Sequence, residues 1–406
     1  MKNKFLPLAL SIYVNYILIG ICVIIINQNI DILMAQMGTD RAGIGWVVSG
    51  MGIGKLIIML FGGALSDKFG RKPFIFIGQV GFVLFFLGVM FSTSVAMGFA
   101  LSVLCGMSNS FIDSSGMPAL MECFPSSPGT ASIMVKAFVS MGQFAMPMFI
   151  MFIYNNSMWF GWSFIACAIL MGLNALFLLT RGFPGMDDLP PAKAADGSVI
   201  EQADKPRFFP EGICLSLIGY TSTASFTIML LWLPIFGSDI AGMEVVQAKG
   251  LVSHFAIGSL CAVFSTAFLV KRMIKPIYFV FVYPLVAAVV LFLVYMYPSP
   301  SFCIAAAYIL GFTAGGGVLQ LALAAMAELF TFGKGKITSA VYTLNNISIF
   351  TVPIITGYLA QTNAANIILF DAFLTAIGAF LALVVLIRYR KIYPGVPVIA
   401  FSGAKA

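Results

Sequence analysis

Gly62-Gly63-Ala64-Leu65-Ser66-Asp67-Lys68-Phe69-Gly70-Arg71-Lys72-Pro73 is a short charged stretch set between two long apolar runs. Gly63 lets two helices approach closely, and Gly70 permits a tight turn that a side chain would strain. Asp67 can accept hydrogen bonds from a helix N-terminus or from Arg71. Lys68, Arg71 and Lys72 collect positive charge in one loop. The plain alternative is a solvated basic loop. The spacing and the flanking runs favour a charged clasp that holds one conformation and releases in another.

Outward from this loop the chain is almost wholly apolar. Of 406 residues, 60% are hydrophobic and 9% charged, and the mean hydropathy is +1.02. A soluble domain carries nearer a quarter charged residues, so most of the outer surface must face lipid. The formal charge of +7 sits in short loops between apolar runs, which is a membrane-orientation pattern and not a nucleic-acid face. Six of the seven cysteines lie inside apolar runs, with no disulfide or metal-ligand spacing. No cleavable signal precedes the first run.

About 20 apolar residues cross a hydrocarbon core. Windows of that size give twelve spans, near 8–31, 44–65, 74–93, 96–121, 131–153, 159–180, 211–236, 249–270, 277–297, 302–327, 338–359 and 366–388. With both termini in the cytoplasm, Lys68, Arg71, Lys72, Arg181, Lys271, Arg272, Lys275, Lys334, Lys336, Arg388, Arg390 and Lys391 fall inside, and only Arg41 and Lys249 outside. Residues 181–210, with Asp187-Asp188, Pro190-Pro191 and Gly197, have no apolar period and read as a cytoplasmic linker. The organisation expected is 1–180 as a first six-helix bundle, 181–210 as linker, 211–391 as a second bundle and 392–406 as a cytoplasmic tail.

The halves repeat. At a shift of 206, Glu122 falls on Glu328, Phe124 on Phe330, Gly129 on Gly335 and Pro147 on Pro353. At a shift of 203, Lys72-Pro73 falls on Lys275-Pro276. Six spans per half give the halves the same orientation, with a substrate site expected between them near mid-membrane.

The loop fits the pattern G-x3-D-[RK]-x-G-[RK]-[RK] and resembles the signature loop of the major facilitator superfamily. The twelve-span layout extends that resemblance over the chain. Asn109-Ser110-Phe111-Ile112-Asp113, Pro128-Gly129-Thr130-Ala131 and Lys136-Ala137-Phe138-Val139-Ser140 look like inner-membrane transport proteins of enteric bacteria. The resemblance implies an all-α membrane protein of two pseudo-symmetric six-helix bundles, working by alternating access as a secondary transporter in a bacterial inner membrane. The resemblance does not name a substrate; two lysines inside spans, Lys55 and Lys136, favour an organic anion, and the expectation is proton-coupled uptake of a small organic solute such as a shikimate- or quinate-like acid. A proton-driven exporter is the alternative. Two features usual in drug exporters depart here: residues 96–121 hold no Arg, and Gly142-Gln143-Phe144-Ala145-Met146-Pro147 keeps one Gly and one Pro only.

Charged groups in spans cost roughly 2.5–3.5 kcal/mol each and usually face a cavity or a partner. Asp113 lies in span four with Asn109 one turn before it on the same face. Lys136, Ser140 and Gln143 form a polar stripe on span five. Asp113 and Lys136 are candidates for a proton-coupling pair, with a permanent structural ion pair as the alternative. Lys55, mid-span two among Gly50, Gly52 and Gly54, is a candidate anion ligand, or else a lysine paired with an acid such as Asp31 or reaching an interface. Asn109, Gln143, Tyr220, Gln320, Asn345 and Asn346 complete the candidate substrate set, with helix glue as their alternative. Gly63, Asp67, Lys68, Gly70, Arg71 and Lys72, with Glu122 and Glu328 as repeat-related latches, form the candidate gate. Asp31 and Asp371 read as wetted helix ends. His254 reads as packing or proton relay, and Gly311 with Gly315-Gly316-Gly317 as a hinge or packing face. One histidine and no metal spacing exclude the usual catalytic constellations, and no G-x4-G-K-[ST] phosphate loop occurs. No cofactor is expected. The expected partners are the solute, protons and the bilayer, with the chain acting as a monomer.

Overall fold

A backbone inside hydrocarbon must satisfy its own hydrogen bonds, so long apolar runs resolve as helices. The computed structural model describes residues 4–59, 62–124, 128–184, 208–272, 274–329 and 334–393; side chains at 63, 64, 67, 128–130, 132, 133, 271, 272, 327, 328 and 334–339 are outside the description, as is that of Phe208. Twelve helical stretches among the described residues are long and apolar enough to cross a membrane. Most of the expected linker, 181–210, and of the tail, 392–406, lies outside the described residues.

The first unit comprises Met1–Lys193 with Ile349–Thr362. Its spans are α1 (Leu6–Gln28), followed by the short α2 (Ile30–Met37), then α3 (Arg41–Met59), the short α4 (Gly62–Phe69), α5 (Arg71–Met90), α6 (Val95–Cys123), α7 (Pro128–Asn155) and α8 (Trp162–Leu179). Asp40 caps α3, its carboxylate accepting the Gly43 backbone N–H at 2.9 Å. That bond holds the Asp40 carboxyl below the usual carboxylate range. Ser94 caps α6 in the same way, through the Met97 N–H.

The second unit comprises Ala194–Ser348 and Asn363–Ala406. Its spans are α9 (Ile213–Asp239), α10 (Val245–Arg272), α11 (Pro276–Met296), α12 (Pro300–Thr313) continued by α13 (Val318–Leu329), α14 (Lys334–Thr362), whose far end is counted with the first unit, and α15 (Ala364–Ile392). The neighbours repeat between units. In the first, α3 and α5 pack on α6, and α8 packs on α1 and α5. In the second, α10 packs on α12, α11 on α12 and α13, and α15 on α9 and α11.

The tightest repeated crossing is set by glycine. A β-carbon on Gly54 would overlap the Val103 carbonyl, and one on Gly106 the Met51 carbonyl. Gly258 against Tyr308 and Gly311 against Phe255 repeat the arrangement in the second unit. Small residues at such crossings let backbones meet, which drives helix association in lipid.

The tenth span is broken between Thr313 and Val318. Gly317 has φ 92°, a conformation that glycine adopts without strain. The freed Gly315 carbonyl accepts Ser259 Oγ at 2.8 Å, so the break costs no unsatisfied oxygen there. Gly106→Val should destabilise the protein by at least about 1–3 kcal/mol through overpacking, read as a lower thermal midpoint in detergent. Gly172→Ala, which meets nothing within 4 Å, should leave the midpoint unchanged.

Candidate functional site

In the first unit, three helices bring charge together. Asp113 on α6 faces the Lys55 ammonium on α3 and the Tyr16 hydroxyl on α1. Asp113 and Lys55 are half-buried, and Tyr16 is 2% exposed. Sequence spacing pairs Asp113 with Lys136, but the cation it faces is Lys55. The α3–α6 crossing explains this: Gly54 and Gly106 draw the two backbones into contact, and Lys55 follows Gly54 directly. Ser110 Oγ, one turn from Gly106, donates to the Lys55 carbonyl at 3.1 Å. Lys136 is half-buried on α7, on the face that carries Ser140.

Gln143 is 0% exposed, and neither its Oε1 nor its Nε2 has a hydrogen-bond partner among the described residues. Asn109 is 5% exposed, with Oδ1 equally unpartnered. Buried amides in lipid-spanning proteins are normally bonded.

Another set of amides is helix glue. Asn15 Oδ1 on α1 accepts Gln79 Nε2 from α5 at 2.8 Å and Asn174 Nδ2 from α8 at 2.7 Å. Ser11 Oγ donates to Asn174 Oδ1 at 2.9 Å. Sequence reasoning misses these residues because each is isolated in an apolar run. Their only signal is that amides seldom sit in lipid-facing positions.

The clasp takes a definite form. Gly70, with φ 91°, turns the chain from α4 into α5. Arg71 donates to Glu122 Oε1 at 3.3 Å and to Ser66 Oγ at 3.2 Å, and Ser115 Oγ donates to Ser66 at 2.9 Å. Lys72 Nζ sits on the carbonyl end of α8, 2.7 Å from the Leu179 oxygen and 3.2 Å from that of Arg181, where the helix dipole favours a cation. Lys68 is exposed, its ammonium over the Phe69 ring. Gly63, Asp67 and Glu328 lie outside the residues whose side chains are described.

In the second unit, Thr223 on α9 donates to Asn345 Oδ1 on α14, and Asn345 Nδ2 donates to Asn346 Oδ1 at 3.2 Å. Tyr220 is half-buried and Gln320 exposed. His254 on α10 bonds Tyr308 Oη on α12 at 2.8 Å. Asp31 is exposed, as expected of a wetted helix end, whereas Asp371 is 0% exposed. Glu211 is 0% exposed and takes Arg388 Nε at 2.6 Å.

Charged and amide groups facing one another across lipid-spanning helices, two such units and the clasp loop belong together in one protein class, and the sequence profile of the Major Facilitator Superfamily matches residues 12–350. This chain is a member of that superfamily. It is 39% identical over 393 residues to the inner membrane transport protein YdiM of Escherichia coli K12, covering 96% of each chain. It is 37% identical to YdiN of the same organism, over 97% of this chain and 92% of that one. The crystal structure of a D-xylose-proton symporter shares the fold with a TM-score of 0.72 at 16% identity, covering 97% of this chain and 98% of that one. The protein is therefore a multi-pass membrane transporter of small solutes and not an enzyme, and its homologues are inner-membrane proteins.

Gln143→Leu should raise stability by about 1–3 kcal/mol, because it removes a buried amide with neither end bonded, while lowering transport. Thermal unfolding in detergent checks the first part. A lower midpoint would mean that the amide is satisfied inside the protein.

Proposed function

We propose that this transporter works by alternating access as a proton-coupled carrier that takes up a small organic anion, with shikimate- or quinate-like acids as first candidates. The observation that carries the reading is the Asp113–Lys55–Tyr16 cluster, with the unpartnered amide oxygen of Asn109 one turn away on α6 and the unpartnered amide of Gln143 on α7.

The chemistry is an exchange of counterions. Lys55 holds one negative charge at a time at low cost. With Asp113 ionised, that charge is Asp113. A proton on Asp113 removes it and leaves Lys55 free for a substrate carboxylate, so proton and anion enter together and a buried uncompensated charge is avoided. Tyr16 supports Asp113 in either state, since its hydroxyl can donate or accept. Gln143 and Asn109 offer donors and acceptors to substrate hydroxyls. Lys136 lies on the same α7 face as Gln143 and is the second cation available to this region. In the second unit Tyr220, Gln320, Asn345 and Asn346 are the candidate contacts. The Arg71–Glu122 clasp is the gate proposed to open as the cycle turns. Lysine and arginine placement supports cytoplasmic termini, and each chain is proposed to carry its own pathway as a monomer.

Reconstituted protein should accumulate labelled shikimate or quinate under an inward proton gradient. Asp113→Asn should abolish gradient-driven accumulation while sparing substrate counterflow. Lys55→Ala should weaken both tenfold or more, the equivalent of losing about 1.4 kcal/mol of binding. Accumulation untouched by Asp113→Asn would overturn the coupling role, and efflux driven by the opposite gradient would make the protein an exporter.

A further inference from the structure

Acidic side chains buried in this protein are matched with cations in all but one case among the described residues. Asp113 faces Lys55, Glu122 takes Arg71, and Glu211 takes Arg388. Asp371, on α15, is 0% exposed and meets only hydroxyls. Ser225 Oγ, from α9, donates to Oδ2 at 3.1 Å, and Thr375 Oγ1, one turn on, donates to Oδ1 at 3.1 Å.

The elements packed on α15 contain no lysine, arginine or histidine to face Asp371. These are α11, α9 and the segment Phe208–Gly212. The titratable groups of α9 are Cys214, at the start of the helix, Tyr220, and Asp239, which is exposed at the helix end. Those of α11 are Tyr278, Tyr283 and Tyr295. Tyr278 accepts from Arg390, and Tyr283 is bonded to Thr266 on α10. A groove between α11 and α15 is lined by apolar residues, among them Leu285, Val289, Phe292, Ala372 and Phe373. The Glu211–Arg388 pair is 17 residues along α15 from Asp371, about 25 Å at helical rise.

An ionised carboxylate there would be desolvated with two neutral donors and no counterion, at a cost of several kcal/mol. The neutral acid removes that cost and keeps both bonds, since a hydroxyl can accept as readily as donate. A hard cation wants about six oxygens, more than one carboxyl and two hydroxyls provide. Beside the site lies a cavity of about 10 Å³, roughly one water, lined in part by Thr221, Ser222, Ser225 and Thr375. Its other walls include Pro284, inside α11, and Ala314, in the break of the tenth span. Proline at 284 removes one backbone N–H from α11, and Ala314 stands where the tenth span is broken.

We propose that Asp371 is a proton-binding site of the second unit, separate from Asp113. It takes one proton from water when movement at the α12–α13 break admits solvent through the Ser225–Thr375 cavity, and it carries that proton buried and neutral. Its use in coupling rests on the proton-driven reading above. The binding of the proton does not.

The test is infrared difference spectroscopy of the purified full chain in lipid, reading the carbonyl stretch of protonated carboxylic acids across about pH 5 to 9. The expected result is a band that disappears as pH rises, is absent from Asp371→Asn and persists in Asp113→Asn. Ser225→Ala and Thr375→Val should each shift its frequency, which assigns the band even if Asp371→Asn fails to fold. A band assigned to Asp371 that never titrates would make it a fixed structural acid and overturn the proposal. So would the lack of any such band, or its removal by sodium at constant pH. Failure of shikimate and quinate uptake leaves this band in place, so the two readings fail separately.

Discussion

Every structural feature here answers to one constraint: inside hydrocarbon a backbone polar group finds partners only within the protein. Helices meet that constraint locally, and then have no water-driven reason to associate. What brings them together is close backbone approach and a few polar side chains. The α3–α6 crossing shows the first device, through Gly54 and Gly106. The Asn15–Gln79–Asn174 set shows the second, tying α1, α5 and α8 at one point. The same crossing then positions chemistry, since Lys55 follows Gly54 and Asp113 lies two turns beyond Gly106 on the packed helix. Packing and function are therefore not separate layers: the contact that joins the helices also places the charge pair.

Much of the architecture was legible in the sequence because its signals are long. An apolar run of 20 residues has few alternatives, and the twelve expected spans coincide with the twelve helical spans to within several residues at each end. The loop motif was legible for a different reason: glycine at 70 has a conformational demand that the structure meets with φ 91°. Single polar residues inside spans were harder. Asp371, near the start of its span, looked like a wetted helix end, yet it is fully buried, because α9 crosses there and supplies Ser225. Periodicity places a residue on a helix but does not say which neighbour covers that face. Lys55 and Asp113 are 58 residues apart in sequence, and only the glycine crossing makes them partners.

The tenth span illustrates how the constraint permits exceptions. Read as sequence, Gly311 and Gly315 to Gly317 suggest either a hinge or a packing face. The chain uses them for both. Gly311 packs against Phe255, while Gly317 ends the break with a positive φ. The break is tolerated because Ser259 from α10 takes the Gly315 oxygen. Its counterpart, α6, runs unbroken from Val95 to Cys123 despite Pro118. The two units thus share neighbours but differ in the continuity of this span.

That asymmetry bears on how a carrier of this construction can move. In the first unit the buried acid has a cation, and α6, the helix that carries it, is continuous. In the second the buried acid has only hydroxyls, and the cavity beside it abuts a broken helix. A charge pair resists separation, and a neutral acid resists nothing until water reaches it. Glycine packs α10 on α12 as closely as it packs α3 on α6, so the difference between the units lies in the break between Thr313 and Val318 and in the groups around each acid. On the two proposals above the halves take different roles: the first unit holds a charge whose partner is exchanged, and the second takes its proton where the tenth span is broken.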